Sequence, residues 1–318
     1  MPDADLTRLL LHGGAGDLPA DAGDLAAQRD ALAKITSAIA ARLRRGSTAV
    51  DAVVEAVARL EDCPLFNAGV GAVLNRDGLP QLDAAVMDGI SHACGAVAAV
   101  SRVRSPVRLA QTIMQRGDFA FFAGADADAL AAELGMECVA PEFFVTPERT
   151  AQLVAARRRG AVLLDHDVHH APPDAAFGTV GAVARDDRGR LAAATSTGGL
   201  TNKPPGRIGD TPVIGAGTWA SRRVAISCTG TGESFIRAGF ARGIDARLQW
   251  ARLPLAEACE QALAELLHLA GRGGCIAVDA EGHCYAGFNS RSMFRAWLTA
   301  GGRIEVAVHD HEARPPAY

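Results

Sequence analysis

Apolar residues in this chain fall mostly into short runs, separated by glycine, proline and charge, and their spacing changes along the sequence. Residues 8–11 read as a short apolar strand that stops at His12-Gly13-Gly14-Ala15-Gly16. A helical region follows over residues 25–45 and breaks at Gly46. Ser47 then reads as an N-cap, because Val50, Val53, Val54, Val57 and Leu60 recur at helical spacing on one face. The loop Cys63-Pro64-Leu65-Phe66-Asn67-Ala68-Gly69 leads to two strand-like runs, 72–75 and 81–87, split by the turn Arg76-Asp77-Gly78. Residues 95–103 are apolar at nearly every position. Ser105-Pro106 and Thr146-Pro147 each read as an N-cap followed by proline at the first helical position. The second of these helices ends near Gly160, after Arg157, Arg158 and Arg159, whose charge suits the C-terminal end of the helix dipole.

Residues 161–178 break the pattern. They carry Pro172 and Pro173 and no useful period, which marks an exposed linker that tolerates a chain break. Beyond it strands return at 179–185 and 190–197, around the turn Asp186-Asp187-Arg188-Gly189. The last third reads as a helix over 254–269 with a glycine-rich stop at 270–274. A strand over 275–278, a turn at Glu281-Gly282, a short helix around 293–297 and a charged tail follow. There is no internal repeat.

Composition narrows the function classes. The chain has 318 residues, 49% hydrophobic and 21% charged, enough for one large or two smaller packed cores. A net charge of −4 and 5% aromatic residues offer neither a basic face nor a stacking platform for nucleic acid. No apolar run reaches the roughly 20 residues of a membrane span, and the N-terminus lacks the basic and long apolar regions of a secretory signal. The seven cysteines are scattered without a C-x-x-C pair, so they signal neither zinc nor a disulfide framework, and a reducing cytoplasm is the simplest location. His166, Asp167, His169 and His170 match no standard zinc spacing.

Chemistry concentrates at Phe177-Gly178-Thr179-Val180-Gly181. Cutting the bond between Gly178 and Thr179 would give Thr179 a hydroxyl and a free α-amine on one residue. A threonine hydroxyl is a weak nucleophile until a neighbouring base activates it, and an N-terminal amine is such a base. Its unperturbed pKa of about 7.7–8.0 leaves it substantially neutral near neutral pH. A hairpin closed at residues 186–189 brings Ser196 or Thr197 opposite Thr179, within about 4.5–5.5 Å at Cβ. Gly-Thr alone is a common strand string, and the further motifs change its weight.

Those motifs are H-G-G-A-G at 12–16, C-P-L-F-N-A-G at 63–69, L-D-A-A-V-M-D-G at 82–89, G-T-V-G-A-V-A at 178–184, A-A-A-T-S-T-G-G at 192–199, T-N-K-P-P-G-R-I-G-D-T-P at 201–212 and C-T-G-T-G-E at 228–233. In this order and nearly end to end, the chain resembles the plant-type L-asparaginase / isoaspartyl peptidase family of N-terminal-nucleophile hydrolases. The resemblance implies an α+β fold, a four-layer αββα sandwich, formed as one domain from two autocleaved parts. Residues 1–178 would be the α subunit, ending in the linker, and residues 179–318 the β subunit. The implied activity is hydrolysis of L-asparagine to L-aspartate and ammonia and of isoaspartyl dipeptides, without a catalytic cofactor. Both substrates carry an amide on a β-carboxyl beside a free α-amine and α-carboxylate.

By the resemblance, Thr179 is the nucleophile, Thr197 tunes its hydroxyl, and Thr229 with the N–H of Gly230 forms the oxyanion hole. Arg207 binds the α-carboxylate and Asp210 the α-ammonium, with Thr231 and Gly232 lining the substrate site and Asn67 supporting the amine of Thr179. Without the flanking motifs, Arg207 and Asp210 read equally as a surface ion pair. A structural sodium ion is implied on backbone carbonyls of Leu60, Glu61, Cys63, Phe66, Ala68 and Val70. The expected assembly is a dimer of αβ units. Thr218-Trp219 and Ser290-Arg291-Ser292 depart from the family pattern, which leaves the choice between asparagine and dipeptides open. Two further readings stand beside this one: a glycosylasparaginase-type amidase, against which the lack of a secretory signal counts, and an uncut, non-catalytic amino-acid binder.

Overall fold

A computed structural model describes residues 7–18, 24–162 and 178–315. In chain order the elements are β1 (Arg8–Gly16), α1 (Ala26–Arg44), α2 (Ala49–Glu61), β2 (Leu82–Asp88), β3 (Cys94–Val100), α3 (Pro106–Arg116), β4 (Phe121–Ala123), α4 (Gly124–Glu133), α5 (Pro147–Arg159), β5 (Val180–Arg185) and β6 (Leu191–Thr197). They continue as β7 (Thr218–Ala220), β8 (Val224–Gly230), α6 (Gly232–Ala238), α7 (Phe240–Ala246), α8 (Leu255–His268), β9 (Gly273–Asp279), β10 (Cys284–Phe288), β11 (Ser292–Leu298) and β12 (Ile304–His309). The result is a mixed α and β chain with two sheets. One has the order β12-β11-β1-β5-β6-β2-β3-β4, the other β10-β9-β8-β7.

Alternate residues on the central strands face different cores. Leu9, Leu11, Val180, Ala182, Ala184, Ala192 and Ala194 pack with the inner faces of α1, α2 and α3. Leu10, Val183, Leu191 and Ala193 instead meet Ala220, Ala225, Ile276 and Val278 of the smaller sheet. The other face of that sheet, with Val224, Ile226, Cys228 and Ala277, packs against Phe235, Ile244 and Leu266 of α6, α7 and α8. Strands covered on both faces read as unbroken apolar runs rather than alternating ones, which is why the sequence shows runs.

Several elements differ from the sequence reading. Residues 293–297, expected as a short helix, lie in β11, which pairs with β1 and β12 and is buried along its whole length. A five-residue apolar window carries no period, so only the neighbouring strands decide it. The charged tail includes β12, the edge strand of the larger sheet. Residues 72–75 form no strand and keep one isolated bridge, Leu74 with Pro80. Thr48 rather than Ser47 caps α2, its hydroxyl accepting from Asp51 N–H at 3.0 Å. Ser105 precedes Pro106 as expected but does not cap, because its hydroxyl donates to the Glu61 carboxylate at 2.6 Å. The cysteines are unpaired. No helix among the described residues is long and apolar enough to cross a membrane. Most of the linker read at 161–178, with His166, His169 and His170, lies outside the described residues.

Candidate active site

The β5–β6 hairpin sets the centre of the site. Val180 pairs with Ser196, so Thr179 comes opposite Thr197. The Thr179 hydroxyl donates to the Thr197 hydroxyl at 3.0 Å, and Gly199 N–H donates to the same oxygen at 3.0 Å. Ser196, the alternative partner, points to the opposite face and donates to Glu61 of α2 at 2.7 Å. Strand alternation separates the two hydroxyls completely. Three donors reach the Glu61 carboxylate, from Ser105, Ser196 and Val107 N–H, yet burial still lifts its pKa to about 7.

The glycine stretch of β1 lies against the residue that precedes Thr179. Gly14 has φ +113°, and a Cβ there would fall 2.4 Å from the nitrogen of Gly178. Only glycine permits both that conformation and that approach. One residue on, Ala15 N–H donates to the Thr229 hydroxyl at 3.1 Å. Because that oxygen accepts from Ala15, the Thr229 proton is left to donate elsewhere.

His12 was legible only as the start of the glycine motif. Its buried ring holds the peptide that follows Thr179, with Nδ1 donating to the Thr179 carbonyl at 2.9 Å and Nε2 2.9 Å from the Ser227 hydroxyl. Burial drives its pKa down to about 3, so the ring is neutral. A carbonyl can only accept, so Nδ1 carries the proton and Nε2 accepts from Ser227. The Ser227 oxygen then accepts from Thr195 at 2.7 Å, and Thr195 stands 2.7 Å from Thr218. This buried chain crosses between the sheets three times. Gly181 makes room for it: a Cβ there would lie 2.0 Å from the Ser227 oxygen and 2.4 Å from His12 Nε2.

The charged residues stand at the other end of the 229–233 loop. Gly232 is within about a van der Waals contact of both, since a Cβ there would lie 3.0 Å from Arg207 Nη2 and 3.0 Å from Asp210 Oδ1. Asp210 is buried, and its Oδ2 has no hydrogen-bond partner among the described residues. Burial, reinforced by Glu233 and Asp83 against the pull of Arg207, raises its pKa to about 7. An orphaned buried acceptor costs about 1–3 kcal/mol and is a ready receptor for a donor such as an ammonium group. Arg207 makes a bidentate pair with Glu233, 2.8 Å at both contacts, a partner that its motif alone did not reveal. That pair fixes the plane of the guanidinium and leaves the Nη1 edge beside Gly199 and Gly209. Behind it lie two further buried charges. Asp83 is directly across from Thr197 on β2, and Lys203 donates to the Gln81 carbonyl at 2.8 Å. Burial raises the pKa of Asp83 and lowers that of Lys203.

Asn67 braces the loop after Thr197. Its Nδ2 donates to Gly199 C=O and its Oδ1 accepts from Val73 N–H, both at 2.9 Å, while Gly198 N–H donates to its carbonyl at 3.1 Å. These bonds hold Asn67 against the residues that follow Thr197, the hydroxyl partner of Thr179. Trp219 donates to Asp245 at 3.1 Å, away from these groups, whereas its neighbour Thr218 joins the hydroxyl chain.

This constellation can be compared with known proteins. The family model described as Asparaginase matches residues 5–308. An isoaspartyl peptidase of Salmonella typhimurium is 48% identical over 308 residues, covering 95% of this chain and 98% of that protein. The isoaspartyl peptidase of Escherichia coli is 48% identical over 306 residues, covering 95% of each. An isoaspartyl peptidase/L-asparaginase of Mus musculus is 37% identical, covering 98% of this chain and 93% of that protein.

Proposed function

We propose, from the premise that this chain belongs to the asparaginase family, that it hydrolyses L-asparagine and isoaspartyl dipeptides with Thr179 as its nucleophile. The observation that carries the reading is the Thr179–Thr197 hydroxyl pair at the head of β5, with Gly14 pressed against Gly178. Substrate binds through its α-carboxylate on Arg207 and its α-ammonium on Asp210, whose orphaned Oδ2 supplies the acceptor. Thr179 Oγ attacks the side-chain amide carbon while its α-amine takes the hydroxyl proton. The developing oxyanion is met by the Thr229 hydroxyl and Gly230 N–H, each such donor being worth about 2.7–4 kcal/mol in the transition state. The amine then leaves with that proton, and water hydrolyses the resulting threonine ester.

The free amine comes from self-cleavage. The Thr179 hydroxyl attacks the Gly178 carbonyl, the acyl group shifts from nitrogen to oxygen, and water splits the ester to give chains 1–178 and 179–318. His12, by anchoring the Thr179 carbonyl, holds the second chain's first peptide before and after that cut. The three cores support a four-layer αββα arrangement, with helices outside and two sheets within.

The loop from Leu60 to Val70 fits a structural sodium ion. Val70 N–H closes it onto Glu61 C=O at 2.7 Å, and the carbonyls of Leu60, Glu61 and Cys63 each accept a backbone bond while keeping a second lone pair. With Phe66, Ala68 and Val70 they would hold a hard cation by neutral oxygens, stiffening the segment that carries Asn67. The active assembly is a dimer of αβ units, which size-exclusion chromatography tests. Denaturing electrophoresis of the purified protein tests the main reading. Two bands, the smaller beginning at Thr179, together with ammonia release from L-asparagine, are expected; one intact, active band overturns it.

A further inference from the structure

The hydroxyl chain that starts at His12 does not stop at Thr218. Strand β7 places Thr218 directly across from Ser227 on β8, and Thr195 meets both from β6 of the other sheet, 2.7 Å from each. Thr218 is fully buried, and its hydroxyl faces two acceptors. One is the Thr195 oxygen at 2.7 Å, which leads through Ser227 and His12 to the Thr179 carbonyl. The other is the Thr211 carbonyl at 3.0 Å, in the residue that follows Asp210. A hydroxyl has one proton to give, so Thr218 divides it between the anchor of Thr179 and the turn that carries Asp210.

That turn leans on the same strand edge. Gly217 N–H donates to the Asp210 carbonyl at 3.1 Å. A Cβ on Gly217 would lie 2.7 Å from the orphaned Asp210 Oδ2, so the backbone just before Thr218 walls that oxygen in. The Gly217 carbonyl accepts from Cys228 N–H at 2.9 Å, one residue before Thr229. Residues 217 and 218 therefore join three things: the carboxylate read as the ammonium acceptor, the strand that ends at Gly230, and the chain to Thr179. A buried acceptor that loses its donor is penalised, so neither branch of the Thr218 fork is free to drift.

We propose that Thr218 is a positioning residue for both halves of the reaction. Through Thr211 it sets Asp210 for the substrate ammonium, and through Thr195 it sets the Thr179 carbonyl. Thr195 lies on the nucleophile's side of the fork and serves the nucleophile alone. The inference rests on the substrate-binding role given to Asp210 above and deepens it.

The test measures kcat and KM for L-asparagine separately, on processed protein, for Thr218→Val, Thr195→Val and the double variant. Thr218→Val keeps the branched shape and removes the proton. It is expected to raise KM about fivefold, the size of one net hydrogen bond, and to lower kcat about tenfold. Thr195→Val should lower kcat alike and leave KM within about twofold of the wild type. Because both act on kcat through one chain, the double variant should show the kcat of either single variant and the KM of Thr218→Val. Thr218→Ser restores the donor and should recover both constants. Thr218→Cys, a weaker donor of similar size, should show both effects at about twofold each, and it serves if Thr218→Val does not fold. A change in only one constant at position 218, kcat losses that multiply in the double variant, or no recovery with serine overturns the coupling, while wild-type turnover keeps the activity reading standing. Absence of turnover in the wild type overturns the activity reading and the coupling with it.

Discussion

At one end of the layer between the sheets, Leu10, Val183, Ala193, Ala220 and Ala225 meet in an apolar contact. Two residues along the same strands, on the same faces, stand His12, Gly181, Thr195, Thr218 and Ser227. The strands, the pairing and the burial are alike at both ends, and only the chemistry changes. The apolar end stabilises by removing surface from water, at roughly 25 cal/mol per Å². The polar end adds little net stability, since each buried hydrogen bond replaces one to water. What it adds is direction: a donor chain that ends on the carbonyl of Thr179. The molecule thus uses one layer to hold the sheets together and, two residues along the same strands, to anchor the carbonyl of Thr179.

The largest break in that comparison is at its target. Thr179→Ala should leave the chain uncut and lower turnover by roughly a millionfold, the scale for loss of a nucleophile. Electrophoresis and ammonia release read both losses, and a cut Thr179→Ala protein would remove the premise. The matched pair His12→Leu and Leu10→Ala sharpens it next. His12→Leu should slow both chain cutting and kcat by about a hundredfold through misplacement, with KM little changed. His12→Asn, which restores a donor near the Nδ1 position, should recover part of that loss. Leu10→Ala should cost about 2–5 kcal/mol in urea unfolding and leave kcat/KM of the folded protein intact. If the two variants exchange these effects, the division of labour fails.

Arg207 lies outside the layer, and the role proposed for it is confined to substrate binding. Arg207→Ala should raise KM by roughly thirtyfold and still allow chain cutting, so an uncut Arg207→Ala protein contradicts the split. The smallest effect is that of pH. Burial raises the Asp210 pKa to about 7, so below that pH the carboxyl is protonated and cannot pair with an ammonium group. KM for L-asparagine should therefore fall as pH rises through about 7, by up to tenfold per unit below it, and level off above. The Thr179 amine, with an unperturbed pKa near 7.7–8.0, shapes kcat instead. Measuring the two constants separately distinguishes them, and a KM that is flat across pH 7 rules out the Asp210 assignment.

Legibility followed distance along the chain. Thr179 and Thr197 are 18 residues apart in one hairpin, so turn position and strand period nearly placed them from sequence, leaving only Ser196 as a competitor. The i, i+3 spacing of Arg207 and Asp210 brought both to one turn for the same local reason. His12 and Ser227 are 215 residues apart, and nothing in either segment announces the other. The same holds for Asp83 beside Thr197, and for Glu233, whose carboxylate occupies one edge of Arg207. Residues 293–297 were misread because a central strand and a buried helix of five residues look the same.

The hairpin, the order of the motifs and the pairing of two threonines at its open end were legible in the chain alone, because they depend on local backbone preference and short spacing. Folding alone decided that two sheets face each other through a half-polar layer and that His12 is neutral and anchored to the Thr179 carbonyl. Those outcomes depend on burial and on contacts between remote strands, and neither quantity exists until the chain has closed on itself.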